Sequence, residues 1–180
     1  MKTLQLIILI LFISIISCDE DKITSCDEDN IEESYNIDVE NYVELLKSNQ
    51  YDSLNLPAFT YEDIPALLKY RNEKQIITNF PHNPISSLWG PECKLGMYIL
   101  WTIESIRAVA INSEYLMMRF PSLNPILALR NAEELTLVYD EKSHEMAAQA
   151  YYCWWYNHRQ MNFNEFMHID PLGDTNYRWH

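Results

Sequence analysis

A chain of 180 residues with 26 acidic and 13 basic side chains, net charge −13, is long enough for one domain with a sizeable core. That charge excludes nucleic acid as a partner and excludes a basic, membrane-hugging face. With only three glycines there is no Gly-rich phosphate cradle, so nucleotide-loop chemistry is excluded too.

Lys2 is followed by a nearly unbroken Leu, Ile and Phe run from Leu6 to Ile16, then Ser17-Cys18 and the acidic triplet Asp19-Glu20-Asp21. This is the order of a secretion signal; a spanning helix needs ~20 apolar residues. Ile15-Ile16-Ser17-Cys18 resembles a bacterial lipoprotein signal, in which cleavage before the Cys frees its amine and thiol for acylation. Residues 1–17 are therefore expected to be a signal peptide and Cys18 the lipid attachment site. The membrane is then a partner through that lipid, and the location is the cell envelope: an outer-membrane lipoprotein, with surface exposure as the further expectation. Three acyl chains exceed the two needed for stable anchoring. Ile23-Thr24-Ser25-Cys26 repeats the local pattern, but four charged residues separate it from the apolar run.

Residues 18–40 hold ten acids against Lys22 alone. Residues 18–36 read as a disordered, self-repelling tether. The acids after Cys18 also resemble the export signal of surface lipoproteins of the Bacteroidota, and the two readings are compatible. Beyond Cys18 the cysteines are Cys26, Cys93 and Cys153. Cys93–Cys153 is the one disulfide available within the folded body, with buried free thiols as the alternative.

Residues 37–180 are expected to form a single, mainly α domain. Val39, Tyr42, Val43 and Leu46 give a helical stripe over 37–47, capped by Asn36 or Asp38. Phe59-Thr60-Tyr61-Glu62-Asp63-Ile64 marks a second helix start, with Thr60 as cap and Ile64, Leu67 and Leu68 as the buried face. After the rigid loop Phe80-Pro81-His82-Asn83-Pro84 comes the longest element, 92–111, apolar around nearly its whole circumference and hence central to the core. Glu104 and Arg107 lie three apart on it, a local ion pair worth a few tenths of a kcal/mol on an exposed helix face. Phe120-Pro121-Ser122-Leu123-Asn124-Pro125 repeats the Pro-loop texture. Residues 126–139 alternate through Leu127, Leu129, Leu135, Leu137 and Tyr139, favouring a short β-hairpin that turns near Asn131 over a helix through 132–137. Ser143 is the expected cap of a helix over 145–157, which ends in the aromatic run Tyr151 to Tyr156. A further turn is expected at 164–167 and a turn-rich loop at 170–174.

Residues 56–180 resemble an uncharacterised family of short Bacteroidota lipoproteins with a small HEAT-like helical domain. The resemblance rests on Phe59-Thr60-x-x-Asp63-Ile64-Pro65-Ala66-Leu67-Leu68, Asn79-Phe80-Pro81-x-Asn83-Pro84-Ile85-Ser86, Glu92-Cys93-x-Leu95-Gly96 with Leu100-Trp101-Thr102-Ile103-Glu104, Pro121-Ser122-Leu123-Asn124-Pro125, and Trp154-Trp155. It implies packed helical hairpins and an envelope location, and it carries no activity.

Candidate chemistry is sparse. Cys153 and His158 lie on different faces of one helix, and Cys93 with His82 is the only nucleophile–base pair left to consider. His144, His158, His168 and Asp170 are the available metal ligands; Ala148 breaks any H-E-x-x-H. No metal or cofactor is expected. Glu104, opposite Glu92 or Glu133, would be the carboxylate for sugar chemistry. Aromatic faces at Trp89, Trp154 and Trp155 and polar groups on the Pro loops (His82, Asn83, Ser86, Ser87, Asn124) form the expected binding surface. The leading expectation is a non-enzymatic module that binds a protein partner at the envelope. The alternatives are carbohydrate binding or hydrolysis, and an immunity-type lipoprotein.

Overall fold

The computed structural model describes residues 37–180 apart from Trp89 and Tyr115, with side chains from Val39 onward. The signal peptide, Cys18, Cys26, the acidic tether and Trp89 lie outside the described residues.

The domain is mainly α, built around α3 (Leu95–Ala110), in which every residue from Leu95 to Ile106 is buried. α1 (Ile37–Lys47) lays Val39, Tyr42, Val43 and Leu46 into the same core. Its Tyr42 hydroxyl donates to Thr102 Oγ1 at 3.2 Å, and Thr102 in turn donates to the Tyr98 carbonyl at 2.9 Å. Thr60 caps as expected: its N–H donates to the Asp63 carboxylate at 2.7 Å. A 3-10 turn (Tyr61–Asp63) then leads into α2 (Ile64–Leu68), with Pro65 in the first turn where it forfeits no helical bond.

Two small antiparallel sheets frame the helices. β1 (Ile76–Ile77) pairs with β2 (Cys93–Lys94), so α3 begins at Leu95, three residues later than its apolar pattern suggests. The expected hairpin at 126–139 forms: β3 (Leu127–Leu129) pairs with β4 (Leu137–Val138). The chain end supplies β5 (Tyr177–Trp179) on the other edge of β3, giving the order β4-β3-β5.

α4 (Glu141–His158) starts earlier than expected, and its cap is Asp140 and not Ser143: the Asp140 carboxylate accepts from the Ser143 N–H at 2.8 Å. α4 approaches α3 closely because Gly96 presents no side chain at the crossing; Ala147 and Ala148 are buried on α4. Its aromatic end packs Trp154 against Tyr151, Phe163 and Phe166, the last two from α5 (Phe163–Phe166). Cys93 is a free thiol and Cys153 is disulfide-bonded, so the Cys93–Cys153 bridge does not form and the other half of the Cys153 bond lies outside the described residues. Among the described residues, no helix is long and apolar enough to cross a membrane.

Candidate functional site

Both Pro loops dock onto one side of α3. The Tyr98 hydroxyl donates to the Pro81 carbonyl at 3.1 Å, and Trp101 Nε1 donates to Ser122 Oγ at 2.8 Å. The loops also lock to each other, since Asn83 Nδ2 donates to the Ser122 carbonyl at 2.9 Å. The Asn124 amide nitrogen reaches the Leu88 and Leu123 carbonyls at 3.0 and 3.1 Å, and its oxygen accepts from His180 Nδ1 at 3.0 Å. The final residues run alongside: Asn124 N–H donates to the His180 carbonyl and His180 N–H to the Ile126 carbonyl, each at 3.0 Å.

These pieces enclose a groove of about 760 Å³ over the second half of α3. Its apolar wall comes from Ile85, Leu116, Met117 and Leu123, and its polar contribution from Asn83, Arg178 and the floor. That floor is a closed network. Arg107 Nε donates to both Glu104 oxygens at 3.1 and 3.0 Å, and its second terminal nitrogen also donates to Glu104. The Tyr151 hydroxyl donates to the same carboxylate at 2.7 Å and accepts from Trp179 Nε1 at 2.8 Å. Trp179 is thereby held as a half-buried wall of the groove. Burial, with the Glu104 charge beside it, raises the Tyr151 phenol well above its ordinary value. For Arg107 burial alone acts downward, but the hydrogen-bonded Glu104 carboxylate outweighs it and strengthens the cation. The local pair expected from sequence is therefore a buried one: the Arg107 and Glu104 side chains are 12% and 9% exposed. Its loss costs far more than that of a surface pair.

One lip of the groove is strained. Met117 and Phe120 exchange backbone hydrogen bonds around Met118 and Arg119, whose φ angles are 49° and 71°. This left-handed pair is the geometry of a tight hairpin turn normally made by Asn or Gly. Arg119 secures it: its guanidinium donates to the Pro57 and Phe59 carbonyls at 3.1 and 3.0 Å, while Ser105 Oγ donates to its carbonyl.

Of the residues singled out from sequence, Asn83 and Glu104 line the groove, and Asn124 ties its loop to His180. His82 is half-buried against Phe80, ring centroids 4.4 Å apart, and burial lowers its pKa. Trp154 is buried at 5% exposure and Trp155 half-buried; both belong to the aromatic cluster around Phe166 and not to the groove wall. Neither Glu92 nor Glu133 faces Glu104; the other carboxylates at the groove are Glu114 and Asp170. Asp170 pairs with Arg130 at 2.9 Å. The Cys93 thiol donates to the Lys94 carbonyl at 3.3 Å, and burial pushes it up to about 12, the opposite of an activated nucleophile. Among the described residues, no three His, Cys, Asp or Glu side chains gather to hold a metal ion. Sequence reasoning missed Trp179, Arg178 and His180, although the alternating Tyr177-Arg178-Trp179 is a short strand signal.

Fold and groove together define a helical domain, with two small sheets, that presents one large side-chain-lined depression. The family described as a domain of unknown function (DUF4943) matches residues 33–180, and the chain belongs to that family. Neither the curated proteins nor the solved structures provide a match to this chain.

Proposed function

We propose that the protein is a lipid-anchored, non-enzymatic binding module of the cell envelope that holds a segment of a partner protein in the groove over α3. In this reading Cys18 carries the acyl chains, and the acidic stretch 18–36 is the spacer that extends the domain from the outer membrane. The helices α2, α3 and α4 are then a HEAT-like layer of the Bacteroidota type, with the Pro loops laid across it.

The observation that carries the proposal is the closed floor. Glu104, the candidate acid–base residue, has both oxygens engaged by Arg107 and one also by Tyr151, an arrangement that holds a fixed charge and not a mobile proton. Above that floor, exposed Ile85 and Leu123 flank polar Asn83 and Arg178, the mixture of apolar anchor and polar rim that protein interfaces use. Carbohydrate binding is the second reading, favoured by one feature: the Trp179 ring is fixed at the groove wall by its bond to Tyr151.

A photo-crosslinking residue at Ile85 or Leu123, in cells, should capture one discrete envelope protein, whereas the same residue at exposed Leu54 or Leu135 should not. Equal capture at all four positions, or none at the groove, refutes the binding site. Soluble glycans that protect Leu123 from labelling would transfer support to the carbohydrate reading. Palmitate labelling that survives Cys18→Ala would overturn the anchor.

A further inference from the structure

A second cavity, independent of the groove, lies by the first turn of α3. It measures about 390 Å³, within the range of small-ligand sites. Met97, Leu127 and Val138 line it, and three exposed large apolar side chains, Ile76, Leu88 and Tyr139, stand around it. Such residues usually face water only where something covers them.

Its polar groups decide what fits. Asp140 and Ser143 satisfy each other: the Asp140 carboxylate accepts from the Ser143 N–H and its carbonyl from Ser143 Oγ, both at 2.8 Å. The Cys93 S–H is spent on main-chain carbonyls. His144 is different. It lines the cavity at 2% exposure, and its Nε2 lies 2.8 Å from the Arg71 carbonyl. A carbonyl only accepts, so Nε2 carries the proton and Nδ1 carries a lone pair. Nδ1 has no hydrogen-bond partner among the described residues, although a buried acceptor is costly to leave unmet. Burial lowers the imidazole pKa, and Lys94 and Lys74 act in the same direction against Glu145 and the Arg71 hydrogen bond. The ring is therefore neutral at neutral pH, with its Nδ1 lone pair available.

We infer that this cavity binds a small, mainly aliphatic molecule whose hydroxyl donates a hydrogen bond to His144 Nδ1. The aliphatic body covers Met97, Leu127 and Val138, and the hydroxyl meets the one polar atom of the wall that the protein leaves unpaired. Neither a carboxylate nor an ether fits, because neither has a proton to give, and a carboxylate would also be buried without a cation.

The test uses 1-decanol and decyl methyl ether, titrated into isotope-labelled protein lacking the signal peptide, with amide shifts followed by NMR. Decanol should bind saturably, with shifts centred on Cys93, Met97, Leu127 and His144, and about tenfold more tightly than the ether, as one hydrogen bond to a buried acceptor requires. Filling the cavity with Ile126→Trp, or with Leu88→Trp at an exposed position, should abolish decanol binding while the far-ultraviolet circular dichroism stays unchanged. Equal affinity for alcohol and ether, shifts centred on the α3 groove, or no saturable binding would each overturn the inference. The groove reading would be untouched by any of these results.

Discussion

Replacing Gly96 by Ala adds one methyl group at the tightest point of the α3–α4 crossing. A Cβ built there lies 2.5 Å from the Arg71 carbonyl oxygen, 2.6 Å from His144 Nε2 and 2.8 Å from His144 Cε1. Neither neighbour yields easily. The Arg71 oxygen is main chain, and the imidazole is buried and bonded to that same oxygen at 2.8 Å. The backbone at Gly96 is itself held by its N–H to the Glu73 carbonyl at 2.9 Å. Overpacking of this kind costs roughly 1–3 kcal/mol. Forcing the imidazole off its carbonyl adds about 1–3 kcal/mol for a buried polar pair left unmet. Alanine returns up to about 1 kcal/mol as the better helix former. The net expectation is a loss of about 3 kcal/mol, a large share of the total stability of a small domain. In urea unfolding this lowers the midpoint by about 1.5 M for a slope of about 2 kcal/mol per molar. Combining Gly96→Ala with His144→Ala should cost at least about 1 kcal/mol less than the two separate losses added, because the ring is one of the two obstacles. A Gly96→Ala protein within about 1 kcal/mol of the parent would refute this account of the crossing.

Glu104→Ala strands a buried guanidinium and the Tyr151 hydroxyl, and should cost about 3–5 kcal/mol by chemical denaturation; a loss below about 1 kcal/mol would mean that the floor network opens to water. With its thiol pushed up to about 12, Cys93 should react with a disulfide reagent at pH 8 about three orders of magnitude more slowly than a free thiol, and rapid labelling of the folded protein would contradict its burial. The sign follows: the stability this protonated thiol lends is complete below its ordinary value of 9.0 and is lost as pH rises toward about 12. Met118→Asn should raise stability by about 0.5 kcal/mol, because Asn tolerates a φ of 49° better than Met and the Met side chain is 56% exposed; destabilisation would show that the methionine packs more than its exposure suggests.

The elements readable from sequence were those whose signal is local. The stripe Val39, Tyr42, Val43, Leu46 yielded α1 with its bounds, the all-round apolar run yielded α3, and alternation from Leu127 to Tyr139 yielded the β3–β4 hairpin. β1, β2 and β5 left almost no trace, because two or three residues carry no period. The start of α4 was misplaced for a related reason. Asp140 and Ser143 are both good caps, and only the backbone path decides that Asp140 takes the role. The candidate site was half legible. Asn83, Glu104 and Asn124 were singled out as polar groups on rigid supports, whereas Trp179 and His180 reach the site by pairing with a strand some fifty residues away.

The order of residues by itself determined which segments are helical, that the core runs through α3, that Glu104 and Arg107 meet, and that the acidity is concentrated ahead of the domain. Each of these follows from spacings of three or four residues, or from composition alone. Tertiary structure alone decided that the ion pair is buried beneath a groove, that β5 closes beside β3 and brings Trp179 to the wall, and that Gly96 lets His144 reach the Arg71 carbonyl. Those outcomes depend on which distant main-chain groups satisfy one another once the core has formed, and no local pattern encodes that choice.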